Sequence, residues 1–274
     1  MIHNHLTGPT GWELVFIRYG GKTIVGQTVK VQDIESYTRR DRERPKRDAK
    51  VGMLPPKLAQ IIINLAAGQL PEDKLESICD IPAGQLIPRP ILDKTVLDPF
   101  CGTGVMLQEA RLMGYGIYGS DLDKRMTDYT EQNISWLDQI YRVESEAYRL
   151  ETADATMHAW SQPIDFVASE TYLGRPFTAQ PSPEILAQTI ADCNLIIKKF
   201  LRNIYDQFSP STRLCLAVPA WQARPDQFKH LPLIDQIDDL GYNRVSFEYA
   251  GATNLLYYRA DQIVARELLV ITRK

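Results

Sequence analysis

The sequence predicts a doubly wound α/β fold, in which a mostly parallel sheet carries helices on both faces. Three observations support this prediction. From Lys94 onward, short β-rich segments alternate with helix-like segments, which is typical of βαβ units. The chain has 274 residues, which is enough to bury a sizeable core. Its composition, with 44% hydrophobic and 24% charged residues, is ordinary for a soluble globular protein.

The first 37 residues predict a small β extension. WELVFIRY and KTIVGQTVKVQ are rich in strand-forming residues, and Gly20-Gly21 between them indicates a hairpin turn. A helix is predicted in GMLPPKLAQIIINLAAG, where apolar residues recur with helical spacing, prolines suit the entry and Gly68 suits the end. Residues 69–92 are mixed and Pro-rich, which predicts a connector. We expect two parts, a β extension at 1–37 and a main domain at 38–274.

The alternating elements of the main domain follow in order. KTVLD and GIYGSD predict two strands, each followed by a helix, in TGVMLQEARLMG and DKRMTDYTEQNISWLDQIYR. EAYRLETAD and PIDFVAS predict two more strands. A long helix follows, entered by Ser182 and Pro183. RLCLAVPAW predicts a fifth strand, LIDQIDDLG a helix, and NRVSFEYA and ELLVITR two late strands.

Acidic residues follow three successive predicted strands, at the edge where a doubly wound sheet binds its ligand. Asp98 precedes a loop that contains Gly102 and Gly104, Asp121 ends the second strand, and Asp154 follows the third. The glycine loop lacks the lysine of a Walker loop and the third glycine of a dinucleotide fingerprint. A simple tight turn is the alternative explanation for two glycines, but it does not account for the three acids.

The pattern instead favours S-adenosylmethionine (SAM). Asp98 and the two glycines suit its methionine part, Asp121 suits the ribose hydroxyls, and Asp154 suits the adenine amino group. The predicted cofactor-binding residues are Asp98, Phe100, Gly102, Gly104, Asp121, Leu122, Asp154 and Ala155.

The segments RPKRDAKVGMLPPKLAQIIINLA, DPFCGTGVMLQEA, YGSDLD and YYRADQIVARELLVI resemble the catalytic domain of the tRNA guanosine-10 N2-methyltransferase family and its bacterial relatives. DPFCGTG resembles motif I of class I methyltransferases that modify exocyclic amines. The resemblance covers most of the chain. It implies a Rossmann-like class I methyltransferase fold with a seven-stranded sheet in the order 3-2-1-4-5-7-6, the last strand being antiparallel and a hairpin at 248–272 closing the sheet. It also implies SAM-dependent methylation of guanosine N2 in tRNA.

Full-length members of that family carry an N-terminal THUMP RNA-binding domain. This chain starts after the corresponding region, so we expect a short homologue or an isolated catalytic domain. RNA binding is then expected to involve a separate domain or subunit.

The segment ASETYLGRP departs from the [D/N]-P-P-[Y/F] pattern that relatives place after the fourth strand. Aligned without a gap, Glu170 stands at the acid, Thr171 and Tyr172 at the prolines, and Leu173 at the aromatic residue. Such a motif holds both N–H bonds of an amine and stacks on the base. Glu170, the Thr171 carbonyl and Tyr172 are therefore predicted as the catalytic residues of an adapted site. A degenerate loop in an inactive SAM binder is the alternative.

Residues 38–50, TRRDRERPKRDAK, form a dense run of charge. Because arginine recognises phosphate through its planar fork, this run predicts RNA contacts. A solvated charged loop is the alternative. The candidate RNA-binding residues are Arg40, Arg42, Arg44, Lys46 and Arg47.

Other features bear on the class of protein. The net charge of −3 gives no general attraction to nucleic acid. The four cysteines and four histidines have no metal-ligand spacing, so we expect no metal site and a reducing, cytoplasmic location. No segment predicts a membrane span or a targeting signal. Two other functions stay open, an N6-adenine methyltransferase acting on DNA or ribosomal RNA and a non-catalytic SAM-binding partner protein.

Overall fold

The structure is a computed structural model that describes residues 11–28, 32–48, 53–68, 92–144, 147–161, 163–177, 179–210, 212–224, 227–259 and 262–274. The chain divides into two compact units, residues 1–43 and residues 44–274. Except for its last residue, the predicted connector at 69–92 lies outside the described part. None of the described helices combines the length and the apolar character that a membrane span requires.

The N-terminal unit contains the predicted hairpin. Strands β1 (Leu14–Tyr19) and β2 (Lys22–Gln27) pair antiparallel. Gly20 and Gly21 join them with φ of 55° and 75°, as a two-residue turn of the primed type requires. Helix α1 (Ile34–Arg42) follows and includes the first part of the charged run at residues 38–50. The Asp33 carboxylate caps this helix by accepting from a first-turn backbone N–H, and basic residues lie in its last turn.

The main unit is built on one sheet. Its strands are β3 (Thr95–Asp98), β4 (Gly116–Asp121), β5 (Arg149–Thr152), β6 (Phe166–Glu170), β7 (Arg213–Arg224), β8 (Gln227–Lys229), β9 (Tyr242–Arg244), β10 (Leu256–Tyr257) and β11 (Val264–Arg273). The order along the sheet is β5-β4-β3-β6-β7-β11-β10. The first five of these strands are parallel, and β11 is antiparallel to β7. The predicted order 3-2-1-4-5-7-6 is therefore confirmed.

Helices cover both faces of this sheet. They are α2 (Pro56–Ala67), α3 (Val105–Leu112), α4 (Lys124–Tyr141) and α5 (Pro183–Tyr205). Successive residues of a strand point to opposite faces, and β3 shows the result. Leu97 packs in a cluster with Phe200 of α5, whereas its neighbour Val96 packs in a second cluster with Ile62 of α2. The predicted α/β architecture is thus confirmed.

The predictions for the late elements were only partly right. LIDQIDDLG does not form the predicted helix: the segment has two short 3-10 turns, Pro232–Gln236 and Asp238–Leu240, and ends at Gly241, which has a left-handed φ of 85°. The predicted strand NRVSFEYA is reduced to β9. Two short strands pair with β11 on the side away from β7: β10 pairs near the start of β11, and β9 pairs near its end.

Candidate active site

A cavity of about 900 Å³ lies at the carboxyl edge of the parallel strands. Its volume is within the usual range for small-molecule sites. Seven of the eight predicted cofactor residues line it, namely Asp98, Phe100, Gly102, Asp121, Leu122, Asp154 and Ala155. The three predicted catalytic residues, Glu170, Thr171 and Tyr172, line the same cavity. Segments that are distant in sequence therefore meet in one site.

Asp98, at the end of β3, is the most deeply buried acid of the cavity. Its carboxylate accepts from Ser169 Oγ at 2.6 Å and from the backbone N–H of Phe100 at 3.2 Å. Burial raises the pKa of Asp98 to about 7, although these two hydrogen bonds act in the opposite direction. The nearby carboxylates of Asp121 and Glu170 add to the rise. Because burial disfavours the ionised carboxylate, a cation beside Asp98 would stabilise that charged form.

Asp121 joins the second strand to the glycine loop. One carboxylate oxygen accepts from the Gly102 N–H at 2.9 Å, and the other accepts from the Asp123 N–H at 3.0 Å. Burial raises the pKa of Asp121, and the backbone hydrogen bonds oppose that rise. Leu122 beside it is 73% exposed at the wall of the cavity. Two backbone N–H groups thus fix the orientation of the Asp121 carboxylate at the wall of the cavity.

Gly104 does not line the cavity. It has a φ of 83° and begins α3, and an added Cβ would lie 2.7 Å from Thr130 Cγ2 of α4. Thr130 also donates to the Gly102 carbonyl at 2.9 Å. The predicted role of Gly104 in binding the cofactor is therefore not supported by a direct position in the cavity, although the positive φ favours glycine at this position. The close neighbour in the structure is the packed helix α4.

Asp154 follows β5 at another part of the cavity. Its carboxylate accepts from the backbone N–H and the hydroxyl of Thr156, at 2.8 and 2.7 Å, and these bonds lower its pKa.

One wall of the cavity was not predicted from the sequence. It is a stripe on α5 formed by Asp192, Leu195, Ile196 and Lys199. The signal available in the sequence was Leu195, which is apolar but lies off the core face of its helix; in the structure it is 53% exposed.

The segment after β6 presents acceptors and an aromatic ring. Thr171 is buried, and both its N–H and its hydroxyl donate to the Ala217 carbonyl, at 3.1 and 3.2 Å. Within the described part of the chain, no group donates to the Thr171 carbonyl. Tyr172 is 43% exposed. Gly174 has a φ of 87°, and its Cα lies so close to α5 that a Cβ would be 2.6 Å from Thr189.

Glu170 is paired with a cation. Nε of Arg266, on β11, donates to Glu170 Oε1, and the exposed fractions of the two side chains are 8% for Arg266 and 15% for Glu170. Burial raises the pKa of Glu170, whereas the charge and hydrogen bond of Arg266 oppose that rise. The acid is therefore anchored at the wall of the cavity.

The candidate RNA-binding residues differ in exposure. The side chains of Arg40 and Arg44 are buried, Arg42 and Arg47 are exposed, and Lys46 is partly buried. Arg40 and Arg42 belong to the N-terminal unit, and the other three begin the main unit. None of the five lines the cavity. Within the described ranges, no cluster of three or more His, Cys, Asp or Glu residues could hold a metal ion.

No protein-family model matches the chain. Over 170 residues it is 27% identical to a tRNA (guanine(10)-N2)-dimethyltransferase of Methanothermobacter thermautotrophicus, which covers 61% of this chain and 39% of that protein. Over 123 residues it is 30% identical to the protein of the same name from Methanocaldococcus jannaschii, covering 44% of this chain and 28% of that protein. The chain resembles these enzymes. It spans less than two-fifths of the length of either relative.

Solved structures also show similarity. TrmN from Thermus thermophilus matches 96% of this chain and 60% of its own, with a TM-score of 0.48 and 16% identity. Magnesium protoporphyrin IX methyltransferase (ChlM) from Synechocystis PCC 6803, with bound SAH, matches 88% of this chain and 94% of its own, with a TM-score of 0.47 and 14% identity. The sheet order described above, rather than these scores, assigns the fold.

Proposed function

We propose that this chain is a SAM-dependent methyltransferase that modifies the N2 amine of guanosine in tRNA. One observation carries the proposal. The strand-end acids Asp98, Asp121 and Asp154 share a single cavity with Glu170 and the segment that follows it. A cofactor site and an amine-binding site are thereby within reach of each other, as group transfer requires.

The chemistry of the cavity fits SAM. The cofactor is a cation with an ammonium and a sulfonium group, and it supplies an electrophilic methyl group. Asp98 and Asp121 are acids with pKa values raised by burial, and no basic side chain of the described residues bonds to either. Asp98 would hold the ammonium group, Asp121 the ribose hydroxyls and Asp154 the adenine amino group. Phe100, Leu122 and Ala155 would supply apolar contacts.

The segment after β6 suits an exocyclic amine. The N2 amine of guanine is a weak nucleophile, because its lone pair is delocalised into the ring. Glu170 Oε2 and the Thr171 carbonyl are two acceptors for its two N–H bonds, and holding both turns the lone pair toward the methyl donor. Tyr172 offers an exposed ring on which the base can stack. The chain's contribution is positioning and electrostatics.

The RNA is held in this proposal by exposed cations of the 38–50 segment together with a separate RNA-binding domain or subunit. Arg42 and Arg47 are the exposed arginines among the five candidates. Residues 38–274 form the proposed catalytic domain and residues 1–37 a β extension. A tRNA substrate is consistent with a cytoplasmic location.

The test is product analysis. Bulk tRNA and labelled SAM are incubated with wild type, Glu170→Ala and the matched control Glu184→Ala, an exposed glutamate of α5 outside the cavity. We expect N2-methylguanosine from wild type and control, and a loss on the order of 100-fold for Glu170→Ala, since a misplaced amine reacts slowly. N6-methyladenosine would identify a different amine as the substrate. SAM binding with no methylated nucleoside would count against the tRNA assignment and point to a non-catalytic partner protein, a missing RNA-binding domain or a different substrate.

A further inference from the structure

The ion pair between Arg266 and Glu170 connects the end of β6 to a strand that is not its neighbour. β7 lies between β6 and β11. Glu170 is opposite Ala217 of β7, and Arg266 is opposite Pro219 of the same strand. Because residues two apart on a strand share a face, both long side chains lie on one face of the sheet. They meet above β7, where Ala217 is small enough to leave room.

This contact engages only part of the Glu170 carboxylate. Arg266 Nε donates to Oε1, and in the described part of the chain no group donates to Oε2. Glu170 lines the cavity, whereas Arg266 does not. The second oxygen is therefore available to a ligand, while the first is anchored from outside the cavity.

We propose that Arg266 is a positioning residue that holds one oxygen of Glu170 and presents the other to the exocyclic amine of the target base. The inference rests on the proposed function, which it deepens. A glutamate has three side-chain torsions, so an unanchored carboxylate would occupy many positions in a cavity of this size. The guanidinium is fixed by its strand and by burial, and it removes most of that freedom.

The charges around Glu170 agree with this role. Burial raises the pKa of Glu170, and the buried carboxyl of Asp98 on β3 is a like charge close enough to interact with it. Arg266 is the cation that opposes the effect of burial on the pKa of Glu170. An ionised carboxylate accepts a stronger hydrogen bond from an amine than a neutral acid does. Arg266 thus maintains the charge of the acceptor as well as its place.

The first test compares Arg266→Gln, Arg266→Lys and the control Arg244→Gln. Arg244 pairs with Glu267, the residue next to Arg266 on β11, at 3.4 Å, and it lies outside the cavity. SAM affinity is measured by calorimetry, and single-turnover methyl transfer is measured with saturating SAM and tRNA from pH 6 to 9. We expect Arg266→Gln to bind SAM like wild type but to lose about 100-fold in rate.

The remaining rate of Arg266→Gln should increase with pH, and the midpoint of that increase should lie at a higher pH than in wild type. The reason is that without the arginine the Glu170 carboxyl ionises only at a higher pH. Arg266→Lys should recover part of the rate, since it keeps the charge but loses the planar fork. Arg244→Gln should match wild type. An unchanged rate for Arg266→Gln, or an equal loss for Arg244→Gln, would overturn the proposal. If Arg266→Gln does not fold, the rate and pH profile of Arg266→Lys decide between the same outcomes.

A second readout does not depend on activity. Carbon NMR of carboxyl-labelled glutamate follows the titration of Glu170, which is assigned with Glu170→Gln. Replacing Arg266 should move that titration to higher pH, and an unmoved titration would contradict the proposal whether or not tRNA is methylated. Absence of any methylated nucleoside from wild type would instead count against the proposed function alone.

Discussion

The pH dependence of SAM binding follows from the burial of Asp98. In the free protein the pKa of this acid is about 7, mainly because burial disfavours its charged form. In the proposed binding mode, the ammonium group of SAM pairs with Asp98 only when the carboxylate is ionised. Binding at low pH must therefore remove a proton from Asp98, and the affinity for SAM falls as the pH falls through 7.

The size of the effect can be worked out from that pKa. Each pH unit below 7 weakens binding about tenfold, so affinity at pH 6 is about 11-fold below its plateau and at pH 5 about 100-fold below it. Above about pH 8 the α-amino group of SAM loses its own proton, which ends the plateau. Binding should therefore be tightest between about pH 7 and 8.

Calorimetric titration with SAM at constant ionic strength, from pH 5.5 to 8.5, measures this profile. Asp98→Asn should bind SAM more weakly and lose the acid limb, whereas the control Asp128→Asn, outside the cavity, should keep it. A flat wild-type profile between pH 5.5 and 7.5 would show that Asp98 does not control the affinity for SAM. An unchanged acid limb in Asp98→Asn would assign it to another acid, of which Asp121 is the first candidate.

The same buried acid affects stability with the opposite sign. Because its folded pKa lies above the ordinary value of 3.8, protonation of Asp98 stabilises the free protein as the pH falls from about 7 toward 4. A rise of about three pKa units corresponds to a stabilisation on the order of 4 kcal/mol. Asp98→Asn, which removes the buried charge, should therefore raise the melting temperature of the free protein at pH 8. A lower melting temperature for this variant would contradict the assignment.

Three further predictions concern other parts of the site. Gly104→Ala should destabilise the fold by about 1–3 kcal/mol, since a Cβ would collide with Thr130 and the φ is positive; an unchanged denaturant midpoint would contradict this. Tyr172→Phe should keep methyl transfer, whereas Tyr172→Ala should lose about 10- to 100-fold through lost stacking; equal rates would remove the stacking role. Replacing Arg42 and Arg47 by Gln should reduce the salt slope of RNA binding by about 0.7 per lost phosphate contact; an unchanged slope would remove them from the interface.

The strand-end acids were accessible to sequence reasoning because their positions depend on local patterns. Asp98 and Asp121 end β3 and β4, and Asp154 follows β5. The residues of each strand specify it locally, and parallel strands bring their carboxyl ends to one edge. The sheet order was predicted through the family resemblance. The sequence pattern by itself predicted that strands and helices alternate, but it left several strand orders in the sheet open.

The rest of the site depends on register and packing, which no local pattern reveals. Arg266 reaches Glu170 across 96 residues of sequence, and only the pairing of β11 and β6 with β7 brings them together. Asp192 and Lys199 line the cavity because α5 packs with the side that carries them facing the cavity, and this orientation depends on tertiary packing. The glycine loop marked Gly104 as a position that favours glycine. That Thr130 lies beside it depends on how α4 packs, which the local sequence does not show.

The central claim is that this cavity directs a methyl group from SAM to a guanosine amine. The most direct measurement uses unmodified tRNA and SAM with a deuterated methyl group, followed by nucleoside mass spectrometry after reaction with the wild-type protein. We expect the label in N2-methylguanosine. Label in N6-methyladenosine, or no label in any nucleoside while the protein binds SAM, would contradict it.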